Sequence, residues 1–146
     1  MIQIFNSTLE VSTRLLLQLY VHAQEPLEKE TLLSLDFLTI YGKHYQILQD
    51  NLNGDSPSIK AEIQQKRADI KKLYLSELVK NGFAKVVNLP TGYGYQITSS
   101  GVLFCQSLSS DYMHDYLSNA QIVSEKVRSL STSDIQKVAF ELGDNL

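Results

Sequence analysis

The side chains able to ligate a metal or attack a substrate are few: His22, His44, His114 and the single cysteine, Cys105. No two of them stand at the C-x-x-C or H-x-x-x-H separations that let one stretch of chain hold an ion, so no metal site is expected. Cys105 lies among Leu103, Phe104 and Leu108 and reads as a small core residue rather than a nucleophile. Thr91-Gly92-Tyr93-Gly94 is glycine-containing, but it leads from one strand candidate into another. A phosphate cradle needs a strand-to-helix transition, with free amides at the helix start, so these glycines read as a hairpin tip. Asp111 and Asp115 lie four apart, the spacing of a solvated helix face as much as of an acid–base pair. The chain has no G-x-S-x-G, no H-E-x-x-H and no phosphate-loop lysine motif. No catalytic residue, metal or cofactor is therefore expected, and the chain does not read as an enzyme.

The cations are more informative. Between Ile59 and Lys85 stand Lys60, Lys66, Arg67, Lys71, Lys72, Lys80 and Lys85 against Glu62, Asp69 and Glu77, seven minus three, a local +4 in a chain of net −3. Two readings stand. Lys60, Lys66, Arg67 and Lys71 could reach phosphates from a recognition helix, making them candidate nucleic-acid contacts. Alternatively they form a solvated face, with Glu62–Lys66 and Asp69–Lys72 ion pairs. The acidic remainder of the chain, with a pI of about 5.5, favours the second reading, because domains that grip nucleic acid are usually basic.

The elements that must position these groups follow from caps and periodicity. Ser7-Thr8-Leu9-Glu10 forms a capping box, and Phe5 is placed to staple the first turns. One apolar face is expected on this helix, carrying Leu9, Leu16, Leu19 and Tyr20. A second helix follows Pro26, with Leu33, Phe37, Ile40 and Tyr41 inward and Gly42 at its end, although its β-favouring second half leaves a strand open. Lys43 to Pro57 reads as a loop. A long helix is expected from Ser56 or Ser58, with Pro57 in its first turn, to Asn81. A kink, or an exposed overhang, is expected near Lys66-Arg67, where the apolar stripe lapses. Two short strands then flank the turn Leu89-Pro90-Thr91-Gly92, and Thr98 or Ser99 opens another helix. Ser109-Ser110-Asp111 can recap the chain.

The following helix carries Met113, Tyr116, Ala120, Val123, Val127 and Leu130 at alternating three and four spacing. So narrow a seam suits one partner helix, and these six are the candidate partner interface. A last helix begins at Ser131 or Thr132 and ends at Gly143. The expected fold class is mainly α with a small β-hairpin wing: a winged-helix core with added N- and C-terminal helices. The expected units are a winged-helix domain over 1–108 and a C-terminal helical extension over 109–146, packing on the core or on a partner.

At 146 residues, 43% hydrophobic and 20% charged, the chain has globular proportions and length for one core. Its start has no basic segment followed by a long apolar run, and its apolar runs are about three residues where a membrane span needs about twenty. One cysteine permits no internal disulfide. A cytoplasmic protein without a membrane partner is expected.

Three motifs occur in order: Phe5-Asn6-Ser7-Thr8-Leu9-Glu10 with Arg14-Leu15-Leu16, then Leu35-Asp36-Phe37-Leu38-Thr39-Ile40-Tyr41, then Tyr95-Gln96-Ile97-Thr98-x-x-Gly101. Together they resemble the middle component of bacterial ABC-three-component systems, the small subunit of Lamassu-type defence operons. The resemblance implies a non-catalytic subunit that partners an SMC- or Rad50-like ATPase and an effector, often a nuclease, against phage or plasmids, with DNA met through the complex. A dimeric winged-helix transcriptional regulator, using the Met113–Leu130 seam as its dimer interface, is the alternative.

Overall fold

The computed structural model describes residues 7–23, 25–54 and 58–144, with backbone only for Lys60 and 141–144. Phe5 and Pro57, expected to shape two helix starts, lie outside the described residues. Among the described residues the fold is mainly helical with one antiparallel hairpin. Helix α1 spans Thr8–Val21 and α2 spans Lys29–Ile40. Helix α3 spans Ile59–Asp69, passes into a π-helical turn at Ile70–Leu75, and continues as the short α4 at Ser76–Lys80. Strands β1 (Ala84–Leu89) and β2 (Gly92–Ile97) follow, then α5 (Ser99–Ser107), α6 (Asp111–Lys126) and α7 (Thr132–Asp144).

Most helix starts obey their caps. The Ser7 side chain accepts from the Glu10 amide, Ser58 from Ala61, Thr98 from Gly101 and Ser110 from Met113, each satisfying a donor that the first turn leaves open. The second half of α2 is helical rather than extended, and Tyr41 caps it with its amide on the Phe37 carbonyl.

Helices α1 and α2 form the centre. The sequence suggested one apolar face on α1, but every residue from Val11 to Leu19 is buried, while Leu9 is 72% exposed. The reason is packing on several sides: α1 touches α2, α5, α6 and the π turn, and α2 also carries α3 and α7. A helix enclosed in this way buries its polar positions too, here Ser12, Thr13, Arg14 and Gln18.

The irregularity in the third helix falls at Ile70–Leu75, past the Lys66-Arg67 position read from the sequence. The cause is that Lys66 is itself buried, so the stripe Ile59, Ile63, Lys66, Ile70 does not lapse. The π turn then lets the adjacent Tyr74 and Leu75 both face inward. The loop after α2 is tied down. Asn51 Oδ1 accepts from the Lys43 and His44 amides, Tyr45 donates to the Ala139 carbonyl at 2.8 Å, and Tyr112 donates to Asn53 Oδ1.

The hairpin pairs Val86 with Tyr95 and Leu89 with Gly92, leaving Pro90-Thr91 as its tip. Leu27, between α1 and α2, adds a bridge to its edge: the Leu27 and Tyr95 amides and carbonyls exchange bonds of 2.9 and 2.8 Å. Among the described residues no helix is long and apolar enough to cross a membrane.

Candidate functional site

Two polar arrangements stand out, one sealed and one open. The sealed one begins with Arg14 on α1 and Asp36 on α2. Arg14 Nε and Nη2 reach the two Asp36 oxygens at 3.0 Å each, with both side chains 0% exposed. Tyr116 on α6 donates to Asp36 Oδ1 at 2.7 Å, and Gln18 Nε2 reaches Tyr116 Oη, Thr39 Oγ1 and the Leu35 carbonyl. Burial alone would lower the Arg14 pKa, but the Asp36 carboxylate and its hydrogen bonds outweigh that and raise it above the ordinary arginine value. Burial, helped by Asp36, holds the Tyr116 phenol neutral well above its usual range. These groups are closed to solvent. They join three helices.

This network gives the first two sequence motifs a physical reason, because Arg14 belongs to one and Asp36 to the other. The third motif is also an attachment. Thr98 Oγ1 donates to the Gly82 carbonyl at 2.6 Å, its amide reaches the Phe83 carbonyl at 3.0 Å, and it accepts from the Gly101 amide. A Cβ on Gly101 would run into that same Phe83 carbonyl oxygen. The start of α5 thus seats directly on the turn between α4 and β1.

The open arrangement is a groove of about 690 Å³ between the hairpin and the helix before it. Its helical wall is two parallel rows at spacing four, Arg67-Lys71-Leu75-Val79 and Ala68-Lys72-Ser76-Lys80. Val86 and Tyr95 face it from the hairpin, and Lys29 enters from the start of α2. Among the described residues the lining holds five cations and no carboxylate. Arg67 is engaged, with Nε 3.2 Å from Glu30 and its guanidinium 4.3 Å from the Phe140 ring centre. Lys71 Nζ lies 6.0 Å from the Tyr93 ring centre, at the outer limit of a cation–π contact. Among the described residues Lys29, Lys71, Lys72 and Lys80 form no ion pair.

Of the four cations expected to meet phosphate, Arg67 and Lys71 line this groove, and the Lys60 side chain is outside the described residues. Lys66 is a correction: it is 5% exposed and turned inward. Burial lowers its pKa, with Asp36 opposing that and Arg14 adding to it. Glu62, read as the Lys66 partner, takes the Tyr41 hydroxyl at 2.7 and 2.8 Å. Lys29 was not legible as a groove residue, since contacts distant in sequence, the Leu27–Tyr95 bridge and the Thr91–Glu28 bond, bring the start of α2 to the hairpin.

The Met113, Tyr116, Ala120, Val123, Val127 seam, expected to meet another chain, is buried against the chain's own α1 and α2. Only Leu130, 37% exposed, remains at the surface, beside a cavity of about 480 Å³ that Val21, Leu27 and Ile135 also line. Exposed apolar side chains lie elsewhere: Val79 and Val86 at the groove, Tyr93 next to it, Leu103 on α5 and Ile122 on α6. Cys105 is buried, and burial pushes its thiol up to about 12. Among the described residues no group of histidine, cysteine and carboxylate side chains could hold a metal ion.

No curated protein and no solved structure matches the chain. A family model does: residues 4–144 match the ABC-three component (ABC-3C) system Middle Component 2, and the chain belongs to that family.

Proposed function

We propose that the chain is a non-catalytic winged-helix subunit that joins an SMC- or Rad50-like ATPase to an effector, such as a nuclease, in a cytoplasmic Lamassu-type system acting against phage or plasmids. The observation that carries this reading is the family match over residues 4–144, since one component of a three-component system has protein partners. The element order supports the winged-helix part: α1, the Leu27 bridge, α2, the α3–α4 helix, then β1 and β2. The non-catalytic part draws on Arg14, Asp36, Gln18 and Tyr116, which are buried and bonded to one another across three helices. Exposed Leu103, Ile122, Val79 and Val86 supply apolar surface for partners. The dimeric regulator gains no support, because the seam it would use is core.

Co-expression with the neighbouring operon components, followed by affinity capture of this chain, tests the reading. The ATPase is expected to co-purify and to bring the effector with it. A lone, monodisperse chain that recruits no ATPase would contradict it.

A further inference from the structure

We propose that the groove between the Arg67–Lys80 wall and the hairpin receives an acidic amphipathic segment of a partner protein, its carboxylates on the lysines and its apolar side chains on Val79 and Val86. The proposal rests on the subunit reading above and names the chemistry of one of its contacts.

Three observations carry it. First, Lys29, Lys71, Lys72 and Lys80 frame the groove with no carboxylate among the described residues of its lining, so a complementary occupant is negative. Second, Val79 and Val86 are 38% and 48% exposed between those cations. Large side chains left open amid charge indicate an occupant that is apolar as well as acidic, and nucleic-acid interfaces are predominantly polar. Third, carboxylates flank the groove. Glu28 accepts from Thr91 Oγ1 at 2.8 Å near the hairpin tip, and Glu30 holds Arg67. A duplex, with one charge about every 1.7 Å, would meet both, and it would approach a chain of net −3. Discrete carboxylates on a peptide can be spaced to reach the lysines and miss Glu28 and Glu30. The π turn at Ile70–Leu75 belongs to the same wall and contributes Lys71, Lys72 and Leu75 to it.

The test uses the complex purified from cells that co-express the partner components, with a photo-crosslinking phenylalanine analogue at Val86 and, separately, at Val79. The expected adduct is a partner-protein segment rich in Asp and Glu, with apolar residues at spacing three or four. The double variant Lys71→Glu/Lys72→Glu is expected to lower its yield by about tenfold or more. Changing two carboxylates of the captured segment to lysine should restore the yield with that variant. A nuclease-sensitive adduct, an adduct to a second copy of this chain, a neutral or basic segment, or no adduct from either position in an intact complex would each overturn the proposal. Those results leave the subunit reading standing. Absence of co-purification by the unmodified chain is the separate result that removes both.

Discussion

Arg14 and Asp36 are the pair on which the centre of the molecule turns. A fully buried ion pair adds little or no stability over a well-packed apolar pair, because desolvation offsets the attraction, but removing one partner strands the other charge. Asp36→Asn is therefore expected to cost about 3–5 kcal/mol, measured by denaturant unfolding. Arg14→Met with Asp36→Leu should be less harmful than either single change, because no charge is then left unpaired. Tyr116→Phe removes one donor to Asp36 and should cost about 1–3 kcal/mol. A pH effect belongs at this scale too. Burial raises the Cys105 thiol from 9.0 to about 12 and the Tyr112 phenol from 10.0 to about 12. Each group's contribution is complete below its ordinary value and is lost as pH climbs toward the folded one. Stability should thus fall on alkaline titration, first through Cys105. The lowered pKa of Lys66 acts in the opposite sense, so the total slope mixes terms. Comparing slopes with Cys105→Ala isolates the thiol: above pH 9.0 the variant should lose less, by about 1.4 kcal/mol per pH unit.

Among the elements, the seat of α5 gives the sharpest expectation. Gly101→Ala places a methyl against the Phe83 carbonyl and Ile97, which are backbone and core, and should cost about 1–3 kcal/mol. Ser100→Ala, one residue earlier and exposed, should stay within about 0.5 kcal/mol. Thermal unfolding of the two variants checks this. Caps and turns were legible from the sequence because they are local: Ser7, Ser58, Thr98 and Ser110 each act within three residues of themselves. The hairpin was legible for the same reason. Burial was less so. The runs Leu15-Leu16-Leu17 and Leu32-Leu33 leave no polar side for solvent, yet the spacing rule picks out a single face. The seam on α6 was read correctly as apolar and narrow. Its partner helices lie about 80 to 100 residues away in the chain, as the Tyr116–Asp36 and Gln18–Tyr116 bonds show, and no spacing rule reaches that far. Lys66 misled for a related reason: a lysine between isoleucine turns reads as solvated until the buried acid near it is known.

For the whole molecule, charge separates two surfaces. The chain is net −3, yet the groove beside the hairpin collects five cations from α2, α3, the π turn and α4. Local summation along the sequence found part of this face, the +4 between Ile59 and Lys85, and missed the contribution of Lys29. The three short motifs that carried the resemblance each take part in an internal contact: Arg14 to Asp36 across two of them, and Thr98 with Gly101 in the third. Leu103 and Ile122 add exposed apolar surface away from that groove. The most direct measurement is the mass, in solution, of ATPase and effector mixed with and without this chain. With it, the proposed role requires a single species containing all three. If ATPase and effector associate equally well in its absence, or the chain sediments alone beside them, it is not the subunit that joins them.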